Sequence, residues 1–183
     1  MTIAGILLAA GRSTRFGADD KLVAVLEGRP LIDHAAQALR DAPVGLRFVV
    51  RSKAADALDG FETVRVAEGA EMSRSLAAGI AAARAAGAEG ALVLLADMPF
   101  VTPAHLAALV AGFAGRSTLL ASTDGTRPSP PALFGADRFA ELEAGSGDAG
   151  GRRLLAAATL IAAPPGSLRD IDTPEALAAA RGR

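Results

Sequence analysis

The residues best equipped for chemistry crowd into one run near the start of the chain. Ile3 to Leu22 reads IAGILLAAGRSTRFGADDKL and combines Gly11 and Gly17 with Arg12, Arg15 and Lys21 and the hydroxyls of Ser13 and Thr14. Glycine lets backbone N–H groups turn toward a ligand without side-chain obstruction, and nearby cations neutralise what those groups hold. The ligand such a loop suits is a polyphosphate; the plainer alternative is a basic surface loop between a strand and a helix. Two common phosphate loops are excluded by spacing. Lys21 follows Gly17 by four residues and Leu22 stands where a P-loop carries its hydroxyl, while Arg12 and Ser13 stand where a dinucleotide fingerprint needs a second close glycine.

Acids form the second group. Ala91-Leu92-Val93-Leu94-Leu95-Ala96-Asp97 is an apolar run ending in a carboxylate. Ligands of open α/β sheets bind beyond the carboxyl ends of strands, so Asp97 is placed either to hold a metal or to cap a turn. In Asp170-Ile171-Asp172 the two carboxylates share a face if the segment is extended, which suits a shared cation; Asp172 is equally placed to cap the helix that follows. The chain has no cysteine, which removes thiolate sites, so a metal here is a hard cation on oxygen ligands, magnesium rather than zinc. Ser73 and Ser75 open a helical stretch and serve as helix-start residues or as a loop over a nucleotide base.

These residues need a frame, and the hydrophobic pattern supplies one. Ile6-Leu7-Leu8 is too short for a helix and reads as a strand buried on both faces. Further strands are expected over Leu22–Leu26, Phe48–Val50, Val64–Val66, Ala91–Asp97, Thr118–Ser122 and Thr159–Ala162, with a short edge segment at Pro131–Phe134 after a Gly/Pro/Ser-rich connection. Helices are expected from Pro30 to about Arg40, weakly over Lys53–Leu58, over the stretch after Ser75 to Ala86, from Pro103 to about Gly115, around Asp137–Glu143, and after Thr173-Pro174. His34 and His105 fall in helices, with surface or core-edge roles. Strands alternate with helices, which implies a mostly parallel sheet covered on both faces.

With 183 residues and 51% hydrophobic content, the chain can bury one sizeable core, and a single domain over residues 1–183 is expected. A net charge of -1 argues against nucleic-acid binding by bulk electrostatics, and the absence of Trp and Tyr removes stacking platforms. No segment has the length of a membrane span or a secretory leader, so a cytoplasmic address is expected.

Four stretches resemble one family. L-A-A-G-x-S-x-R-x-G-x-x-x-K (Leu8 to Lys21), Leu95-Ala96-Asp97-Met98-Pro99, Gly147-Asp148-Ala149-Gly150 and Asp170-Ile171-Asp172-Thr173-Pro174-Glu175 are similar, in that order, to signatures of MobA-like nucleotidyltransferases, closest to the molybdenum cofactor cytidylyltransferases. The resemblance implies a Rossmann-like three-layer α/β/α sandwich that transfers a nucleoside monophosphate from a nucleoside triphosphate to a phosphorylated acceptor, releasing pyrophosphate. It places Leu8, Ala9, Ala10, Gly11, Arg12, Ser13 and Lys21, with Ser73 and Ser75, on the nucleotide. Lys21, Arg15 and Asp97 would be catalytic. Asp97 with Asp172 or Asp170 would hold magnesium, and Asp148 and Asp170 would face the acceptor. The second alanine of Ala9-Ala10-Gly11 implies CTP as donor, and the acceptor implied is molybdopterin-like, with a molybdoenzyme as a possible partner. Rivals are guanylyl or other transfer to a different phosphorylated acceptor, or a non-catalytic nucleotide-binding chaperone for molybdoenzyme maturation. Three departures stand out: the family's Gly-His-Pro loses its histidine near Ser129-Pro130-Pro131, Glu71 stands for a glycine, and Gly151 for an alanine.

Overall fold

The computed structural model describes residues 1–11, 16, 21–52, 57–145 and 153–181. Among these, the central sheet has seven strands in the order β5-β4-β1-β6-β8-β7-β9. They are β1 (Ile3–Leu8), β4 (Leu46–Arg51), β5 (Glu62–Arg65), β6 (Gly90–Leu95), β7 (Leu119–Thr123), β8 (Pro128–Gly135) and β9 (Thr159–Ala162). A small separate pair, β2 (Val25–Leu26) and β3 (Arg29–Pro30), lies antiparallel. The helices are α1 (Leu31–Arg40), α2 (Met72–Ala85), α3 (Pro103–Ala111), α4 (Phe139–Ala144) and α5 (Pro174–Arg181). In the central sheet only β8 runs against its neighbours, β6 and β7; the other pairings of that sheet are parallel. The expected mostly parallel three-layer sheet is therefore present.

β1 lies in the interior of the sheet, beside the middle strand β6, and every one of its six residues is buried. Alternate side chains serve opposite layers. Ile3 and Leu7 join Leu39, Leu92 and Leu94 on the α1/α3 side, whereas Ala4, Ile6 and Leu8 join Ile80, Val50 and Val93 on the α2/α4 side. Close approach of both layers is purchased with small residues. A Cβ on Gly79 of α2 would come within 2.7 Å of Ile6 Cγ2, and one on Gly5 within 2.8 Å of Leu39 Cδ1. The strand order reverses at β1, with β4 on one side and β6 on the other, and Leu8 pairs with Leu95. The crevice beyond these two carboxyl ends is where such a sheet takes its ligand.

Several elements differ from the sequence reading. Pro131–Phe134 is no edge segment: it belongs to the eight-residue interior strand β8. Prolines are tolerated there because the register with β7 breaks, Ala121 pairing Ala132 but Ser122 pairing Ser129, so Pro130 and Pro131 fall in a bulge that asks for no ladder N–H. The Pro130–Pro131 bond is cis. Lys21–Val23 forms a 3-10 turn rather than a strand. Pro30 is the N-cap of α1, one position before the helix begins. Ser73 and Ser75 lie inside the first turn of α2, whose N-cap is Glu71. α3 stops at Ala111 instead of Gly115. The weak helix expected over Lys53–Leu58 falls mostly outside the described residues, and 57–58 are not helical.

Both histidines serve the frame. His34 Nε2 meets the Leu26 carbonyl at 2.9 Å, so that nitrogen carries the proton and Nδ1 accepts from Arg29 at 3.3 Å. His105 is 4% exposed and meets Ser122 Oγ at 2.7 Å. Ser122 gives its only proton to the Pro131 carbonyl, 2.6 Å away, so it must accept from His105 Nε2–H. That chain ties α3 to β7 and to the bulge of β8.

Gly79→Ala should cost about 1–3 kcal/mol through overpacking against Ile6, read as a lower urea midpoint at unchanged m-value. Burial lowers the His105 pKa below its ordinary 6.5. The unfolded state therefore binds the proton more readily; stability is complete above that value and falls as pH drops below it. Denaturation midpoints between pH 7.5 and 5 should decline more steeply for wild type than for His105→Gln.

Candidate active site

Three segments converge at the carboxyl ends of β1 and β6. The first is the loop leaving β1, which returns at Lys21 after the segment outside the described residues. The second is the turn after β6, anchored where the Ala96 N–H donates to the Leu8 carbonyl at 3.0 Å. The third is the approach to α5, tied down where the Ile171 N–H donates to the Asp97 carbonyl at 2.9 Å. Ile171 is 1% exposed and packs with Leu26, Leu31 and Leu177. Burying Ile171 turns the carboxylates on either side of it away from that cluster.

At the convergence, Lys21 Nζ donates to Asp97 Oδ2 at 2.6 Å and to Asp172 Oδ1 at 2.5 Å. Side-chain exposure rises from Lys21 (9%) through Asp97 (19%) to Asp172 (39%), so the ammonium is the innermost charge of the three. Helix capping at α5 falls to Thr173, whose Oγ1 accepts from the Ala176 N–H at 3.2 Å. Burial disfavours the charge of Lys21, but Asp97 and then Asp172 outweigh it and hold the amine above its usual value. Asp97 is also pushed up, by its own burial first, with Asp172 and Asp170 adding to the effect against the opposing pull of Lys21. The two directions look contradictory for an ion pair and are not. Two carboxylates hold one ammonium, which favours its charge, while Asp97 faces Asp172 and Asp170 with that single lysine to offset them and its own burial.

That imbalance bears on metal binding. Asp97 Oδ1 is buried and has no hydrogen-bond partner, an oxygen acceptor awaiting a proton donor or a cation. Among the described residues no group of three or more His, Cys, Asp and Glu side chains is arranged to hold a metal. Magnesium commonly takes one or two carboxylates and completes its octahedron with water and substrate phosphates, and an oxygen pair such as Asp97 and Asp172 fits that pattern. These two residues could hold it.

Two adjoining cavities lie at this end of the sheet, one of them against the lysine. A small one, about 40 Å³, is lined by Leu8, Ala9, Ala10, Gly11, Lys21, Ser75 and Asp97 among others. It gathers most of the residues assigned to the nucleotide from sequence. A cleft of about 580 Å³ adjoins it, sharing Leu8, Met72 and Leu95, and includes Ser73, Arg127, Ser129, Pro130, Phe134 and Asp170. Arg153 also lines it but is engaged by Glu141 at 3.3 Å; Arg127 is exposed. Arg12, Ser13, Arg15 and Asp148 lie outside the described residues. Arg127 and Ser129 escaped the sequence reading as site residues because β8 looked like a connection; the Gly-His-Pro comparison was the signal that pointed there.

Residues 5–162 match the model of the MobA-like NTP transferase domain. The chain belongs to the MobA-like NTP transferase family. Purine catabolism protein PucB of Bacillus subtilis is 34% identical over 93% of this chain and 92% of its own length. A probable molybdenum cofactor guanylyltransferase of Haloferax mediterranei is 35% identical over 71% of this chain and 64% of its own. Among solved structures, Rv0371c of Mycobacterium tuberculosis H37Rv superposes with a TM-score of 0.82 at 26% identity, covering 100% of both chains. A complex of that protein with manganese gives 0.79 at 25%, covering 100% of this chain and 99% of the other. This MobA-like chain is a nucleotidyltransferase, and no described helix is long and apolar enough to cross a membrane.

Lys21→Met, studied in chelator, leaves two carboxylates facing each other. Breaking a buried pair costs about 3–5 kcal/mol, and the exposure of Asp172 discounts that to about 2–3 kcal/mol. Chemical denaturation should find that loss, with native circular dichroism retained.

Proposed function

We propose that residues 1–183 form a single nucleotidyltransferase domain that moves CMP from CTP to a phosphorylated acceptor of molybdopterin type, releasing pyrophosphate. The carrying observation is the junction of Lys21 with Asp97 and Asp172 at adjacent strand ends, beside the Leu8–Gly11 pocket. In this reading an ionised oxygen of the acceptor phosphate attacks the α-phosphorus. A new P–O–P linkage forms, the bond to the β-phosphate oxygen breaks, and pyrophosphate leaves with the electron pair. The attacking oxygen is already deprotonated, so no histidine base is needed, in keeping with the structural duties of His34 and His105. Lys21, Arg12 and Arg15 balance the charge of the triphosphate and of departing pyrophosphate; Ser13 and the Ala9–Gly11 backbone hold it in place, and Ser73 and Ser75 border the base. Asp97 and Asp172 would hold magnesium or a similar divalent ion, which would supply Lewis-acid neutralisation of phosphate oxygens. The manganese complex of Rv0371c supports a divalent ion.

The acceptor side carries the departure at Pro130. We assign the acceptor phosphate to Arg127, the exposed guanidinium on the cleft wall nearest the bulge, with Asp170 and Asp148 orienting the rest of the molecule. Removing a charge-assisted hydrogen bond of this kind costs about 1.5–3 kcal/mol. Arg127→Ala should therefore raise the acceptor KM about 10-fold or more and leave triphosphate binding unchanged.

CTP is preferred on the Ala9-Ala10-Gly11 pattern. A guanylyl reading is favoured instead by the relatives named guanylyltransferase. Pyrophosphate release with each of the four triphosphates, magnesium and molybdopterin separates them. Turnover should be fastest with CTP, and Asp97→Asn should lose about 10²–10³ in rate. Turnover with GTP alone would overturn the donor assignment, and folded protein inert with every triphosphate would favour a binding chaperone for a molybdoenzyme.

A further inference from the structure

The junction contains a cation already. Lys21 Nζ occupies the space between Asp97 Oδ2 and Asp172 Oδ1, touching both at hydrogen-bond distance. An ammonium and a divalent ion both want the facing oxygens of these carboxylates, and both cannot have them at 2.5–2.6 Å. With the lysine in place, the unpartnered Asp97 Oδ1 is the buried oxygen left over. One such oxygen is a poor site for an ion that dehydrates reluctantly. A triphosphate changes the balance twice. It brings oxygens that add to the metal's ligand set, and it offers the lysine a stronger anion than a carboxylate. The flexible four-carbon stem lets the ammonium follow that anion without moving the backbone.

We propose that Lys21 is the resident counter-ion of the Asp97–Asp172 pair, and that a nucleoside triphosphate draws it off and thereby opens the pair to the divalent ion. Metal and triphosphate then bind cooperatively, and metal alone binds poorly. Lys21 thus acts against the metal in the free protein and for the phosphates in the complex. This rests on the proposed function insofar as the displacing anion is a triphosphate.

The test is manganese binding followed by electron paramagnetic resonance, with no turnover required. Wild type alone should bind Mn²⁺ weakly, and adding a non-hydrolysable CTP analogue should tighten it about 10-fold or more, within the usual span of coupling between sites. Lys21→Met without nucleotide should bind Mn²⁺ about 10-fold tighter than wild type, and the gain should vanish in Lys21→Met/Asp97→Asn. Lys21→Gln serves if the methionine variant fails to fold. Equal or weaker Mn²⁺ binding by the lysine variants would overturn the proposal, as would a gain that survives loss of Asp97. If the lysine variants gain affinity but no triphosphate tightens Mn²⁺ in wild type, the counter-ion role holds and the triphosphate reading fails.

Discussion

One ammonium held between two carboxylates organises this molecule's working end. Lys21 is contributed by the loop after β1, Asp97 by the turn after β6, and Asp172 by the approach to α5. These three segments are far apart in sequence and meet only because the sheet sets β1 beside β6 with Leu8 opposite Leu95. The charge balance is uneven: Asp97 stays under-neutralised, with one buried oxygen unpartnered. A protein selected for stability alone would close that gap with a donor. A protein that must take up a cation and a polyanion together gains by leaving it open.

The frame can be traced to the same junction. For Lys21 and Asp97 to meet, the ends of β1 and β6 must be rigid, and they are fixed by layers packed close on both faces of β1. Gly79 lets α2 lie against Ile6, and Gly5 lets α1 lie against Leu39. The third segment is set by Ile171, buried among Leu26, Leu31 and Leu177 and hydrogen-bonded through its N–H to Asp97. Apolar burial thus aims two carboxylates, and the lysine links them.

Local pattern made part of this legible. The buried run Ile6–Leu8, the helix start at Thr102-Pro103 and the burial of Ile171 between two exposed or half-exposed acids each follow from period and cap chemistry and are present in the fold, and the apolar strand before Asp97 is present but ends two residues earlier, at Leu95. The pairing of Lys21 with both acids was not legible, because it spans 76 and 151 residues and no local rule reaches that far. Lysine and aspartates were assigned to phosphate and metal separately, and their contact exposes the competition between those roles. β8 is hard to read from sequence for a different reason. Adjacent prolines argue against an interior strand, and only the register break with β7, supported by the His105–Ser122–Pro131 chain, makes room for Pro130 and Pro131. The serines of α2 were read as caps although Glu71 holds that place, since cap preference does not say which of several polar residues begins the helix.

What occupies the space between Asp97 and Asp172 when substrate is bound decides whether the lysine gives way to a metal. Anomalous scattering from a crystal grown with Mn²⁺ and a non-hydrolysable CTP analogue measures this directly. The expected result is a manganese peak ligated by Asp97, with Lys21 Nζ withdrawn from the carboxylate pair onto a phosphate oxygen. A nucleotide-bound structure in which Lys21 still bridges Asp97 and Asp172, with manganese elsewhere or absent, would contradict it.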